Sequence, residues 1–154
     1  MNDKLERLAR FAVAAPLGAA FAWIGVEHFI DPQKFDDIVP PYLGWPRFWT
    51  LASGVFEVVL GLGLIVPATR ARSARWLVCL VILMSLANIN MWWNDVAFNG
   101  TRFGPTGHLI RFAIQLVLLV TLWWLGRRVS SPSASEALRR GRDQRRLDPS
   151  GDVL

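Results

Sequence analysis

The chain has 154 residues, which fits one domain, and 53% of them are apolar. Its formal charge of +5 would suit a nucleic-acid-binding protein, but the basic residues flank apolar blocks and no nucleic-acid-binding motif is found, which excludes that class. The single cysteine excludes an internal disulfide and dithiol exchange within the chain.

Four apolar blocks dominate the sequence, and they cover residues 11–30, 48–66, 74–93 and 108–126. Each is about as long as the roughly 20 residues that a membrane-spanning helix needs, and four such blocks fit the core of a soluble protein poorly. The sequence therefore predicts an all-α fold, a four-helix transmembrane bundle over residues 1–128 in a lipid bilayer. We expect the first block to be a retained span and not a cleaved signal peptide, because its apolar run continues to Ile30.

Basic residues indicate how these predicted spans are oriented. They precede the first span, fill the loop between the second and third, and follow the fourth within residues 127–146. Positive residues mark the cytoplasmic side of a membrane, so we predict a multi-pass protein of the cell membrane with both termini in the cytoplasm. The polar and basic residues 129–154 should form a flexible, largely disordered cytoplasmic tail.

The first outer loop should contain a short helix that lies at the membrane interface. Asp31 is its predicted N-cap, and Pro32 suits the first helical position. The helix must end before Pro40, because a residue that precedes proline is pushed out of the α region. Residues 39–46 are then expected to be extended.

Loop signals also mark the boundaries of the later spans. Thr69 and Thr106 are the predicted N-caps of the third and fourth spans. The dipeptide Asn99-Gly100 predicts a turn in the second outer loop.

Polar side chains within the predicted spans are costly in lipid, so each one needs an explanation. All of them fall in the outer half of the bundle, and they are our candidates for a ligand pocket: Glu27, His28, Glu57, Asn88, Asn90, His108, Arg111 and Gln115. Gly54, Glu57 and Gly61 share one helical face, and small residues are typical of helix packing faces in membranes. We expect this face to turn into the bundle.

Glu57 is the deepest acidic residue, and a charge near the middle of a span costs roughly 3 kcal/mol. Arg111 is the one basic side chain placed to reach it from within a span, so we predict that the two form a pair. This pair is either a structural link that fixes helix register or part of a functional pocket. A pocket would also explain Glu27 and His28 at the end of the first span, and we expect both to face it together with Glu57 and Asn88.

No metal site is predicted from the sequence. Glu27, His28, Glu57 and His108 carry suitable donor atoms, but the Glu-x-x-His pairs of di-iron bundles are absent. A nucleophile elbow and a phosphate-binding glycine loop are absent as well, so we expect no catalytic activity from this chain on its own.

A set of short motifs resembles the DoxX family of small bacterial membrane proteins over about residues 16–126. The motifs are Gly25-x-x-His28-Phe29, Pro32, Phe35, Ile38, Pro40-Pro41-Tyr42-Leu43, Ser53-Gly54-Val55-Phe56-Glu57, Gly61-Leu62-Gly63-Leu64, Pro67, Thr69-Arg70 and Ala87-Asn88-Ile89-x-Met91. The third span departs from the family pattern, because Leu86 stands where a proline is expected before Ala87. This departure puts a helix kink in doubt, and the resemblance itself implies a four-helix membrane bundle.

The resemblance implies function only in outline. Some DoxX proteins are subunits of a thiosulfate:quinone oxidoreductase, some are linked to superoxide and thiol homeostasis, and others are membrane assembly factors. The first hypothesis is therefore a redox-associated accessory subunit with quinone as its cofactor and a redox membrane protein as its partner. The alternatives are a non-catalytic assembly or interaction protein, whose polar residues are structural, and a small-solute carrier.

Overall fold

The computed structural model describes residues 3–127 and residue 142. These residues form five α-helices, α1 (Asp3–Ile30), α2 (Gln33–Asp36), α3 (Pro46–Ile65), α4 (Arg70–Trp93) and α5 (Pro105–Gly126), and one 3₁₀ turn at Pro41–Leu43. Four of the helices are long and apolar enough to span a membrane, which confirms the predicted all-α four-helix bundle. The predicted tail, residues 129–154, lies outside the described residues except for Arg142.

The long helices end within one residue of the predicted positions but begin two to eight residues earlier. Hydropathy marks the part of a helix that lies in lipid, whereas backbone hydrogen bonds continue the helix into the polar boundary. The basic residues before the first and third apolar blocks are therefore helical. Pro46 and Pro105 occupy the first turns of α3 and α5, where the missing N–H of proline costs nothing.

The predicted N-caps were largely wrong. α2 begins at Gln33 with Pro32 in the N-cap position, so Asp31 lies one residue too early. Thr69 does occupy the N-cap position of α4, but its hydroxyl accepts no hydrogen bond from that helix and instead donates to the Gly63 carbonyl at 2.7 Å. Thr106 lies inside α5, whose N-cap is Gly104.

The two loops at the far end of the bundle from Asp3 differ in how well they were predicted. Residues 39–46 are not extended throughout, because the Leu43 N–H donates to the Pro40 carbonyl at 3.0 Å and closes the 3₁₀ turn. The Asn99-Gly100 turn is confirmed. Both residues have positive φ, 50° and 73°, and the flanking Phe98 and Thr101 exchange two backbone hydrogen bonds, as in a type I′ turn.

Neighbouring helices run antiparallel, and α1 makes its most extensive contact with α3. Glycines allow this close approach, since Gly18 lies against Gly61 and Gly25 against Gly54. Gly54, Glu57 and Gly61 are all buried, as expected for a face turned into the bundle. We call the contact between α1 and α3 through Gly18, Gly25, Gly54 and Gly61 the glycine seam. On the other side of α3 lies α4, which in turn packs against α5.

The two ends of the bundle have different chemistry. The half near Asp3 and Gly126 contains the apolar core, whose fully buried members include Ala14, Leu64, Ala74, Leu77, Leu122 and Leu125. At this end Arg10 donates to the Arg127 carbonyl at 2.9 Å, and Arg70 donates to the Leu64 carbonyl at 3.1 Å. Both arginines therefore satisfy carbonyls that the ends of α5 and α3 leave free. We call the opposite end, formed by residues 28–50 and 90–108, the loop end.

Candidate functional site

His28 and Glu57 form the most deeply buried polar pair, with exposed fractions of 2% and 1%. His28 Nδ1 donates to the Ile24 carbonyl at 2.8 Å and lies 3.9 Å from Glu57 Oε2, which is too far for a hydrogen bond. Neither carboxyl oxygen of Glu57 has a hydrogen-bond partner among the described residues. The glycine seam makes the pair possible, because a Cβ at Gly54 would lie 2.7 Å from His28 Cβ.

The predicted pair between Glu57 and Arg111 is wrong. Glu57 faces α1 across the glycine seam, whereas Arg111 lies on α5 and contacts α4. Arg111 Nη1 donates to Asn88 Oδ1 at 3.3 Å and contacts Met91 Sδ at 2.9 Å. Among the described residues, no hydrogen bond joins the Glu57 carboxyl group to the Arg111 guanidinium.

Arg111 begins a chain of amide hydrogen bonds that joins α5 to α4. Asn88 accepts from Arg111 and donates to Gln115 Oε1 at 2.8 Å. Gln115 then donates to the Val81 carbonyl at 3.0 Å and to the Ser85 hydroxyl. Three of the eight predicted site residues are thus brought together in one network between two helices.

Three other candidates lie outside this network. Asn90 donates to the Ile38 carbonyl at 3.1 Å and so ties α4 to the first loop. The buried His108 stacks on Trp92 with the ring centroids 5.6 Å apart, and its Nδ1 has no partner among the described residues. Glu27 is partly exposed and accepts hydrogen bonds from Lys34 at 2.8 Å and from the Trp23 indole at 3.0 Å.

α2 covers the end of α1 through one ring contact. Phe35 is buried and stacks on His28, with ring centroids 3.6 Å apart and an angle of 15° between the planes. The ion pair between Lys34 and Glu27 fixes the same helix from the outside. Together these contacts hold α2 over the buried pair.

A cavity of about 200 Å³ lies at the loop end between the α2 segment, α3 and α4. Its polar lining residues are His28, Thr50, Ser53 and Asn88, and the rest are apolar, among them Phe35, Ile38, Phe56, Leu83 and Ala87. The sequence predicted that Glu27, His28, Glu57 and Asn88 would all face one pocket, and this prediction is right for two of the four. His28 and Asn88 line the cavity, but Glu57 is enclosed beside His28 and Glu27 turns outward to Lys34.

Thr50 was missed as a site residue. It is 2% exposed, it lines the cavity, and its hydroxyl has no hydrogen-bond partner in the part of the chain that the structure describes. Its position was a usable signal, because residues 50, 54, 57 and 61 recur at helical spacing along one face of α3. Within the described residues, no group of three or more histidine, cysteine or acidic side chains is arranged to hold a metal ion.

The comparisons with known proteins assign a family. The model of a family described as a domain of unknown function (DUF8561) matches residues 17–126, well over half of the chain, and the chain belongs to this family. The match begins within α1 and ends at the last residue of α5, so it corresponds to the helical bundle. No curated protein and no solved structure matches the chain.

Proposed function

We propose that this DUF8561 protein is a multi-pass protein of the cell membrane that binds a lipophilic molecule in the loop-end cavity. The favoured ligand is a quinone, and the protein serves as an accessory subunit of a redox partner. The observation that carries this proposal is the apolar cavity of about 200 Å³ with His28 in its wall. A cavity of about 150 Å³ is enough to hold a benzene ring, so this one has room for a substituted ring.

The position of the cavity supports entry of the ligand from the bilayer. Phe56 of α3 and Leu83 of α4 line it and also have more than half of their surface exposed on the bundle. Both lie within helices long and apolar enough to span a membrane, so a bilayer would place acyl chains against them. A ring could then occupy the cavity while its tail lies in lipid between α3 and α4.

His28 is the group that we assign to the head of the ligand. It is the one ionisable side chain among the described residues that line the cavity. Nδ1 carries a proton, because it donates to the Ile24 carbonyl, and so Nε2 is the ring nitrogen left for a ligand. Histidine exchanges protons near neutral pH, which suits a redox-active head. The choice of a quinone is supported by the resemblance to the DoxX family, some members of which are subunits of a quinone-linked oxidoreductase.

A second candidate is the assembly or interaction protein. It is favoured by the amide network, since Asn88, Gln115 and Asn90 use their polar atoms on neighbouring helices and loops. In that function the polar residues only hold α4 in place. Whether the purified protein carries a lipophilic ligand distinguishes the accessory subunit from the assembly protein.

We expect one lipophilic compound to co-purify with the protein when it is extracted from its native membrane without detergent. Ala87→Phe should fill the cavity and lower the recovered compound at least tenfold, as measured by mass spectrometry of organic extracts. Ala20→Phe, the same change at an exposed position of α1, should leave recovery unchanged. Equal recovery with both variants, or nothing above bulk lipid, would refute the cavity as a ligand site.

The positive-inside pattern supports cytoplasmic termini for this bundle. In a Cys79→Ala background, single cysteines at Asp37 and Asn99 should react with a membrane-impermeant maleimide added to intact cells. A cysteine at Ala68, exposed between α3 and α4, should react only after the cells are opened. Labelling at Ala68 in intact cells would reverse the proposed orientation.

A further inference from the structure

Among the described residues at or next to the loop end, Arg111 is the one lysine or arginine that has no carboxylate partner. Lys34 pairs with Glu27, Arg47 pairs with Asp36 at 2.7 Å, and Arg102 pairs with Asp95. Arg111 contacts only neutral groups, namely the Asn88 amide oxygen, the Met91 sulfur and two aromatic rings. Its positive charge is therefore left without a counter-charge in a half-buried position.

Most of the hydrogen-bonding capacity of Arg111 is also unused. A guanidinium group has N–H donors on Nε, Nη1 and Nη2, and here only Nη1 donates. Nε and Nη2 have no partner in the described part of the chain, and neither belongs to the fully enclosed polar atoms. A ligand from outside the bundle can thus reach this edge of the guanidinium.

The surroundings of Arg111 hold the guanidinium in one place. Its Cζ lies 4.7 Å from the centroid of the Phe103 ring and 5.7 Å from that of Phe98. Phe98 is itself fixed by the type I′ turn at Asn99-Gly100. Asn88, which accepts from Nη1, is fixed from its other side by Gln115. The free edge of the guanidinium is therefore presented in a defined orientation and is not carried on a loose side chain.

The depth of Arg111 fits a headgroup better than an acyl chain. It lies six residues after the start of α5 at Pro105, which corresponds to about 9 Å along the helix axis. An arginine side chain at that depth can turn its charged end toward the polar boundary of a bilayer. Its free donors then lie level with the groups that carry lipid phosphates.

We propose that Arg111, held by Asn88, Phe98 and Phe103, is a binding site for a phosphate group. The planar fork of donors on a guanidinium matches two oxygens of a phosphate at once, which an ammonium group cannot do. The phosphate belongs either to a phospholipid headgroup or to a small soluble phosphate, since both offer the same oxygens. Arg111 does not line the loop-end cavity, and the two sites share only Asn88, so phosphate binding can be tested apart from the proposed lipophile.

The test uses the full chain purified in a non-ionic detergent and stripped of lipid. Inorganic phosphate and a short-chain phosphatidylglycerol are titrated separately, and binding is read from tryptophan fluorescence and from the shift in thermal unfolding. The variants are Arg111→Gln, Arg111→Lys and Arg102→Gln, the last as a control that removes a paired charge at the same end. Phe103→Leu keeps the charge and removes one wall of the site, so it tests the proposal even if Arg111→Gln does not fold.

We expect saturable binding by the wild-type chain that weakens at least tenfold in Arg111→Gln and in Arg111→Lys. Arg102→Gln should bind within twofold of the wild type, and Phe103→Leu should bind several-fold more weakly. Binding of phosphatidylglycerol but not phosphate identifies a lipid site, and binding of both identifies recognition of the phosphate itself. If Arg111→Lys binds as tightly as the wild type, the effect is that of diffuse charge and the proposal is wrong. The absence of Arg111-dependent binding in either titration would overturn it as well.

Discussion

Replacing Gly61 with alanine should lower the free energy of unfolding of the bundle by about 1–3 kcal/mol, the range for overpacking a filled interior. The added Cβ would lie 2.7 Å from the Gly18 carbonyl oxygen and 2.8 Å from the Ala22 backbone nitrogen. Both neighbours belong to the backbone of α1, which cannot turn aside as a side chain can. The substitution therefore forces α1 and α3 apart along the glycine seam.

Gly104→Ala is the matched control for this prediction. A Cβ there has no neighbour within 4 Å, and the backbone φ of −69° is ordinary for alanine. Unfolding of both variants should be followed in the same bicelles, by steric trapping or by thermal denaturation. Equal stabilities for Gly61→Ala and Gly104→Ala would mean that the helices do not pack through these glycines.

Replacing Glu57 with methionine should leave the bundle at least as stable as the wild type, and up to about 3 kcal/mol more stable, which is the cost of a buried polar group without a partner. The Glu57 carboxyl group is buried and makes no hydrogen bond to the described residues, so an apolar side chain of similar size loses nothing that stabilises the fold. Glu57→Ala should instead destabilise by about 2–4 kcal/mol, because it leaves a cavity. His28 keeps its hydrogen bond to Ile24 in both variants.

Glu27→Met controls for the loss of an acidic residue from the same region. Glu27 is partly exposed and paired with Lys34, so its replacement should change stability by less than about 1 kcal/mol. A loss of more than 1 kcal/mol in Glu57→Met, measured in the same unfolding assay, would show that the carboxyl group has a stabilising partner. A stable Glu57→Met protein that no longer recovers the lipophile would tie Glu57 to the site beside His28.

The fold was largely predictable because its strongest signals are local in the sequence. Hydropathy identified four spans, and the spacing of Gly54, Glu57 and Gly61 identified the buried face of α3. The first residues of the helices and their N-caps were less predictable. A hydroxyl near a helix end has several carbonyl groups within reach, so the sequence does not show which of them it bonds. Thr69, for example, bonds back to the turn of α3 that precedes it in the chain.

The partners of the candidate residues could not be predicted in the same way. Periodicity places Glu57 and Arg111 on buried helix faces but does not say which helices are neighbours around the bundle. In the structure α1 packs against the face of α3 that carries Glu57, whereas α5 packs against α4. The residue that Glu57 meets is consequently His28, twenty-nine positions earlier in the chain, and Arg111 meets Asn88.

The glycine seam also has a mechanical consequence. Where Gly18 lies against Gly61 and Gly25 against Gly54, the two backbones are in direct contact, and a rotamer change cannot separate them. We therefore expect α1 and α3 to move together. The loop-end cavity is lined by His28 of α1, Thr50 of α3 and Ala87 of α4, and the contact between α3 and α4 is less extensive than that between α1 and α3. We therefore expect any expansion that admits a molecule from the bilayer to occur by movement of α4 relative to α3. Because the amide network links α4 to α5, we expect these two helices to move together relative to α1 and α3.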